Sequence, residues 1–297
     1  LTMRDLGSRN GTAADGIALG AAEAPERPVV LRMGGTLFLP CADLRPFQHG
    51  VRVIDGTVVG PGLLSAWNAI ARAARNSGSL HIHGESGAGK ELAARAFHRL
   101  GPSPSGPFVA VNCAAIPQGV AESLLFGARK GAYSGAAADS EGYLQSAHGG
   151  TLFLDEVAEL DLQVQGKLLR ALETREVLAL GATRPRAVDV RFCSATHKDL
   201  RALVAAGRLR EDFYFRIGRP QIELLPLRRR LEEIPWLLDR ELRRTDPGLS
   251  AHVSLVEACL LRPWPGNVRE LLGEARTAAE AALDAGAREV KDQHLSP

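Results

Sequence analysis

The sequence predicts an α/β protein in which a parallel sheet, covered by helices on both faces, is followed by a smaller helical part and preceded by a short β-rich piece. Three observations carry this reading. From Pro61 short apolar runs alternate with amphipathic segments of helical period, the pattern of strands buried on both faces by crossover helices. A glycine-rich turn, HGESGAGKE, leads directly from one strand into one helix. From about Leu231 the strand pattern stops, and helical periodicity runs through Ala287 with breaks at TDPG and RPWPGN.

Taken in order, residues 1–47 read as short strands and turns. SRNGT contains an Asn-Gly turn, Asp15-Gly16 marks a second, and VVLRMGGTLFLP reads as two strands joined by Gly34-Gly35. Residues 48–60 read as a linker. In the stretch 61–230, LLSAWNAIARAA suits an amphipathic helix, SLHIHG a strand, KELAARAFHRL a helix and PFVAVNC a strand; TLFLDE and VDVRFCSAT are two more buried strands. Residues 231–297 form the helical part.

With 297 residues, about two domains are expected. A net charge of +2 argues neither for nor against nucleic acid. No apolar run approaches the roughly 18 residues that span a bilayer. Cys41, Cys113, Cys193 and Cys259 are scattered without a Cys-x-x-Cys pair, which reads as a reduced cytoplasmic protein. The chain opens on Leu1, so a fragment of a longer protein is one reading.

The chemistry concentrates in two places. In HGESGAGKE, Gly84, Gly87 and Gly89 permit positive φ and close approach, so successive N–H groups at a helix N-terminus can face phosphate oxygens. Lys90 would reach the β- and γ-phosphates. The generic pattern asks for Ser or Thr next, and Glu91 stands there instead; a glycine-rich turn without nucleotide is the competing reading. GGTLFLDE then ends an apolar strand in Asp155 and Glu156. At the carboxyl end of a parallel strand these acids face the crevice of the phosphate loop, where Asp155 would orient Mg²⁺ and Glu156 polarise water. Two acids at a strand end are often only a solvated turn, but after a phosphate loop they read as a nucleotide hydrolase.

GESGAGKE, VAVNCAAIP, ESLLFGARKGAYSGA, GGTLFLDEVAEL, KLLRALE, VDVRFCSATHKDL, LREDFYFRI, LPLRRRLEEIP and WPGNVREL occur in that order. Together they resemble the AAA+ domain of sigma-54-dependent transcription activators (bacterial enhancer-binding proteins) over about residues 58–295, and the Glu after the lysine is usual there. The resemblance implies an AAA+ P-loop NTPase core with a helical lid, an ATPase that uses ATP and Mg²⁺. It implies a nucleotide loop at Gly84, Glu85, Ser86, Gly87, Ala88, Gly89, Lys90 and Glu91, and the acidic pair Asp155 and Glu156, with Mg²⁺ held through the nucleotide. Asn112 matches the residue that holds the catalytic glutamate in a switch, and Thr196 and His197 match the first sensor. Arg210 and Arg216 match fingers that reach a neighbouring subunit, Arg269 matches the second sensor, and Val58, Val59 and Gly60 match the adenine cradle. Taken singly, each arginine reads as a surface charge and Trp264 as a core anchor.

Gly131, Ala132, Tyr133, Ser134, Gly135 and Ala136 match the family's sigma-54 contact loop, usually GAFTGA and carried on an insertion in a core helix. Here Phe is replaced by Tyr133 and Thr by Ser134. The implied partners are the sigma-54 RNA polymerase holoenzyme and further copies of the chain in a ring, usually a hexamer. No helix-turn-helix motif is present, so enhancer-DNA binding is not expected of this chain, nor is a membrane. LTMRDLGSRNGTAADGIALG resembles the second half of a forkhead-associated (FHA) domain, in which Asn10 matches the asparagine that contacts the peptide backbone. That implies a phosphothreonine protein as partner, with the residues that grip phosphate expected upstream; an unrelated β-rich dimerisation piece is the alternative.

Two features carry bland readings. His81 and His83 share one strand face without a third ligand, so packing or hydrogen bonding is expected of them. Arg228 to Arg230 and Arg243-Arg244 read as a solvated helical face. For the whole, an ATP-driven remodeller competes with a phosphoprotein-binding adaptor whose AAA+ unit is a nucleotide-dependent scaffold; a P-loop kinase lacks an acceptor-site motif.

Overall fold

The alternation that begins at Pro61 becomes five parallel strands with helices between them. A computed structural model describes residues 5, 7–19, 27–117, 119–133 and 135–296. By internal contacts the chain divides into two units: residues 1–64, 86–88 and 225–297 form one, and residues 65–85 and 89–224 the other. The helix α1 (Pro61–Asn76) starts in the first and continues into the second.

In the first unit the strands β1 (Thr12–Ala14), β2 (Ile17–Ala18), β3 (Leu31–Met33) and β4 (Thr36–Phe38) form an antiparallel sheet in the order β2-β1-β3-β4. Asp15 and Gly16, at φ 50° and 79°, make the first turn, which needs two left-handed residues in a row. The Asp15 carboxylate accepts the N–H groups of Val29 and Val30 and so ties the turn to the next strand. Residues 48–60, read from sequence as a linker, contain the hairpin β5 (Arg52–Ile54) and β6 (Thr57–Val59), turned at Asp55-Gly56 with φ 48° and 74°.

The rest of this unit is mainly helical: α8 (Ile234–Thr245), α9 (Val253–Leu261) and α10 (Asn267–Asp284). Leu238, Leu242, Leu255, Cys259, Leu271, Ala275 and Ala278 close its core, with Val30, just before β3, and Val58, in β6, buried in the same cluster. A two-residue parallel pair, β14 (Ser250–Ala251) with β15 (Glu289–Val290), stands where no strand is expected, because two residues are too few to show alternation.

The second unit holds the strands β7 (Ser79–His83), β8 (Phe108–Asn112), β9 (Thr151–Asp155), β12 (Arg191–Thr196) and β13 (Gln221–Glu223), all parallel in the order β13-β7-β12-β9-β8. The short β10 (Glu176–Val177) and β11 (Arg186–Ala187) pair outside it. Its helices are α2 (Lys90–Arg99), α3 (Ala121–Phe126), α4 (Tyr143–Ser146), α5 (Leu162–Thr174), α6 (Leu200–Ala205) and α7 (Glu211–Ile217). Asp161 and Asp199 start α5 and α6 by accepting the first free N–H groups. Leu80, Ile82, Leu152, Leu154, Cys193 and Ala195 are buried to the last per cent, as strands covered on both faces require. No helix among the described residues is long and apolar enough to cross a membrane.

Candidate nucleotide site

In the second unit β7 ends at His83, and Gly84 turns the chain away with its N–H bonded to the Thr196 carbonyl at 3.2 Å. A side chain on Gly84 would lie 3.2 Å from both the Cβ and the carbonyl oxygen of Leu224, so glycine keeps this exit narrow. The chain re-enters helix at Lys90 after Gly89, at φ 104°. Lys90 is 6% exposed, and its ammonium donates to the carbonyls of Gly84 (3.1 Å) and Glu85 (3.4 Å) and to Glu156 Oε1 (3.2 Å). Glu91 points outward and pairs with Arg95 one turn on.

Glu156 follows β9 with φ 50° and ψ 47°, the left-handed region that a non-glycine residue enters at a cost of about 1–3 kcal/mol. That conformation turns its carboxylate into a web of three partners. Oε1 accepts from Lys90, while Oε2 accepts from Thr196 Oγ1 and meets His197 Nδ1, both at 3.0 Å. Burial raises the Glu156 pKa, but the bonds from His197, Lys90 and Thr196 outweigh it and hold the group below its ordinary 4.5. Asp155, one residue back, accepts the Glu156 N–H at 3.1 Å. Lys90, Glu156, Thr196 and His197, chosen from sequence at three separate places, thus meet at the carboxyl ends of adjacent strands.

Asn112 lies beside Asp155 in the β8–β9 register, one residue from Glu156. Its oxygen accepts the Ala114 N–H at 3.0 Å, capping the 3-10 turn Cys113–Ala115, and the Glu156 oxygens are taken by Lys90, Thr196 and His197.

Arg210 and Arg216 lie at the two ends of α7, both exposed, and neither bonds to the Lys90–Glu156 cluster. Arg210 forms a two-pronged pair with Asp212 at 2.7 and 3.0 Å, and its backbone N–H donates to Gln165 Oε1. Arg216 donates to the Leu172 carbonyl at 3.1 Å. His81, on β7, is buried and bonds to Ser194 Oγ at 2.9 Å; burial first, then His83, lowers its pKa to about 4.

The loop of residues 131–136 lies between α3 and α4. Gly131 N–H donates to the Ala136 carbonyl and Ala136 N–H to the Tyr133 carbonyl, each at 2.9 Å, so the loop closes on itself. At its base Asp139 pairs with Arg129 and accepts the Lys130 N–H. Tyr133 stands 45% exposed at the tip, and Ser134 lies outside the described residues.

In the first unit Ser86, Gly87 and Ala88 meet side chains of the helical part. Arg269 Nη1 donates to Ser86 Oγ at 3.3 Å, and Asn267 Nδ2 donates to the Ser86 carbonyl at 3.0 Å. A Cβ on Gly87 would lie 2.0 Å from the Gly266 carbonyl oxygen, so only glycine fits. Val58, Val59 and Gly60 are buried, and Gly60 N–H donates to Glu233 Oε1 at 2.8 Å. Asn10 is exposed on the turn that precedes β1.

Arg230 is a correction. Arg228, Arg229, Arg243 and Arg244 are exposed as expected, but Arg230 is 2% exposed and pairs with Glu233 at 2.8 Å. Sequence reasoning missed Asn267 as well. Its signal was its place in PGN, where a left-handed residue (φ 54°) starts a helix.

A glycine loop between strand and helix, a buried lysine donating to the Gly84 and Glu85 carbonyls and acids at the end of β9 define a nucleotide site of the P-loop class. Residues 60–223 match the family described as the sigma-54 interaction domain. The chain is 43% identical to the response regulator protein PilR of Pseudomonas aeruginosa over 267 residues, covering 88% of this chain and 60% of that protein. It is 40% identical to the Nif-specific regulatory protein of Rhizobium etli over 270 residues, covering 89% and 44%. Its fold is similar to that of NtrX from Brucella abortus solved in complex with ATP, with a TM-score of 0.71 and 32% identity over 82% of this chain and 57% of that one. The chain belongs to the sigma-54 interaction domain family and spans about half the length of the curated relatives it matches.

Proposed function

We propose that this chain hydrolyses ATP and uses the cycle to remodel the sigma-54 RNA polymerase holoenzyme through the loop of residues 131–136. The observation that carries the reading is the Glu156 carboxylate, ionised and held by Lys90, Thr196 and His197 at the end of β9.

The donor set fits Mg²⁺-nucleotide. Asp155 supplies a hard carboxylate oxygen at a strand end, and the seat of Gly87 leaves no room for a side chain in the loop. When bound, Mg²⁺ supplies charge neutralisation for the transferring phosphoryl group, and Asp155 would hold it. Lys90 leaves its carbonyl partners for the phosphate oxygens, the more negative acceptors. Glu156, freed from Lys90, takes a proton from the attacking water, while Thr196 and His197 keep its second oxygen fixed. Arg269, bonded to Ser86 of the loop, is the second sensor, and Val58–Gly60 form the adenine cradle.

Arg210 and Arg216 act on a neighbouring subunit's nucleotide, in a ring of copies, usually six in this family. Both are exposed, and the Arg210–Asp212 pair is at the surface, where water and salt screen such pairs and they are easily exchanged. We propose that the N-terminal sheet belongs to a phosphothreonine-reading domain, with Asn10 as its contact residue. The test of the function is ATP turnover at rising protein concentration. A rate per chain that climbs with concentration is expected; a flat, near-zero rate with intact nucleotide binding favours the scaffold reading.

A further inference from the structure

Two side chains to which the sequence assigns no role at the nucleotide, Asn267 and Arg230, hold the carbonyls of the nucleotide loop. Asn267, fully buried, donates to the Ser86 carbonyl at 3.0 Å and accepts the Leu227 N–H at 2.8 Å. Arg230 donates to the Ala88 carbonyl through Nη2, to the Leu225 carbonyl through Nε and to Glu233 through Nη1, each at 2.8 Å. Glu233 in turn accepts the Gly60 N–H, and a side chain on Gly60 would sit 2.8 Å from both Glu232 and Glu233.

A trans peptide is planar, with its N–H opposite its carbonyl. Fixing the Ser86 carbonyl therefore fixes the direction of the Gly87 N–H, and fixing the Ala88 carbonyl fixes that of the Gly89 N–H. The flanking glycines make this necessary, because Gly87 and Gly89 have the widest backbone freedom in the loop. A buried ion pair gains little stability over apolar residues of the same volume. What it offers is direction: one guanidinium plane reaches three fixed acceptors at once.

We infer that Arg230, held by Glu233, and Asn267 are positioning residues that aim the Gly87 and Gly89 N–H groups at the β-phosphate of a bound nucleoside di- or triphosphate. The same Glu233 carboxylate ties the Val58–Gly60 segment to the loop. This rests on the nucleotide reading above.

The test is equilibrium binding of a fluorescent ADP analogue to the full chain, with steady-state ATP hydrolysis and thermal unfolding on the same samples. Arg230→Met and Asn267→Ala should each raise the ADP Kd and the ATP KM about tenfold or more, the loss of one oriented charge-assisted bond, with kcat at saturation within about threefold. Arg230→Lys should recover part of the affinity, since it restores one of the three bonds. If Arg230→Met proves too unstable to hold the fold, Asn267→Ala, which removes no charge, decides the matter. Folded variants with wild-type Kd and KM would overturn the inference, as would a lower kcat with unchanged KM. Failure of the wild-type chain to bind the ADP analogue would instead overturn the nucleotide reading, and this inference with it.

Discussion

The Lys90–Glu156 cluster and the loop of residues 131–136 belong to the same unit but are built in opposite ways. The cluster stands at the end of β9, whose Phe153 is 2% exposed and stacks on Phe108, and each of its charges has a protein partner. The loop bonds mainly to itself, its base is an exposed ion pair, and its aromatic tip faces solvent. Preorganised charge suits chemistry, where any reorganisation adds to the barrier. A self-closed loop with an exposed ring suits contact with a partner, because its shape survives while its surroundings change.

The largest effects should fall on the cluster. Glu156→Gln and Lys90→Ala should each lower ATP turnover by about 10³-fold, from loss of the base and of a phosphate-stabilising charge. Turnover within tenfold of wild type would dissolve the contrast. Arg210→Ala should cost a similar factor, about 10³-fold, in the part of the rate that rises with protein concentration. Mixing it with Glu156→Gln, so that a sound finger meets a sound site across one interface, should restore some activity; no recovery at any ratio would count against a finger acting in trans.

Stability should divide the same way. Phe153→Ala empties the core under the acids and should cost about 3–5 kcal/mol in denaturant unfolding, while Tyr133→Ser should stay within about 0.5 kcal/mol. Equal losses would make the loop part of the core.

The pH dependence follows from Glu156. Its folded pKa lies below the ordinary 4.5, so its ionised form stabilises the fold above that value, and the contribution is lost as pH falls through the lowered one. ATP turnover should therefore show no acid limb from Glu156 between about pH 6 and 8. An acid limb in the wild-type chain with a midpoint above about pH 6 that Glu156→Gln removes would contradict the web. The smallest effect belongs to the loop tip. Tyr133→Phe should raise the rate of open-complex formation about two- to fivefold by removing a phenol from an apolar contact; identical rates would leave the tyrosine without consequence.

Much of this site was legible because its residues sit where regular structure ends. HGESGAGK and TLFLDE announce a strand, a turn and a charge in one local stretch, and both are found there. Arg230 was not legible: in LPLRRRLEEIP three arginines look alike, and only long-range packing buries the third. Asn267 was hidden for the same reason, since Ser86 and Leu227, which its side chain holds, lie far away in sequence. Asn112 is held locally in this structure, because its neighbour Ala114 offers its side chain a bond. The hairpin in residues 48–60 carried a readable sign, Asp55-Gly56 between two β-branched runs, which the shortness of its strands obscured.

The central claim is that hydrolysis at Glu156 drives work at Tyr133. It is tested most directly by open-complex formation on a sigma-54 promoter with purified holoenzyme, comparing ATP with a non-hydrolysable analogue. The account predicts open complexes with ATP and the wild-type chain, and none with the analogue or with Glu156→Gln. Open complexes of equal yield with the analogue, or none with ATP from a chain that turns ATP over, would contradict it.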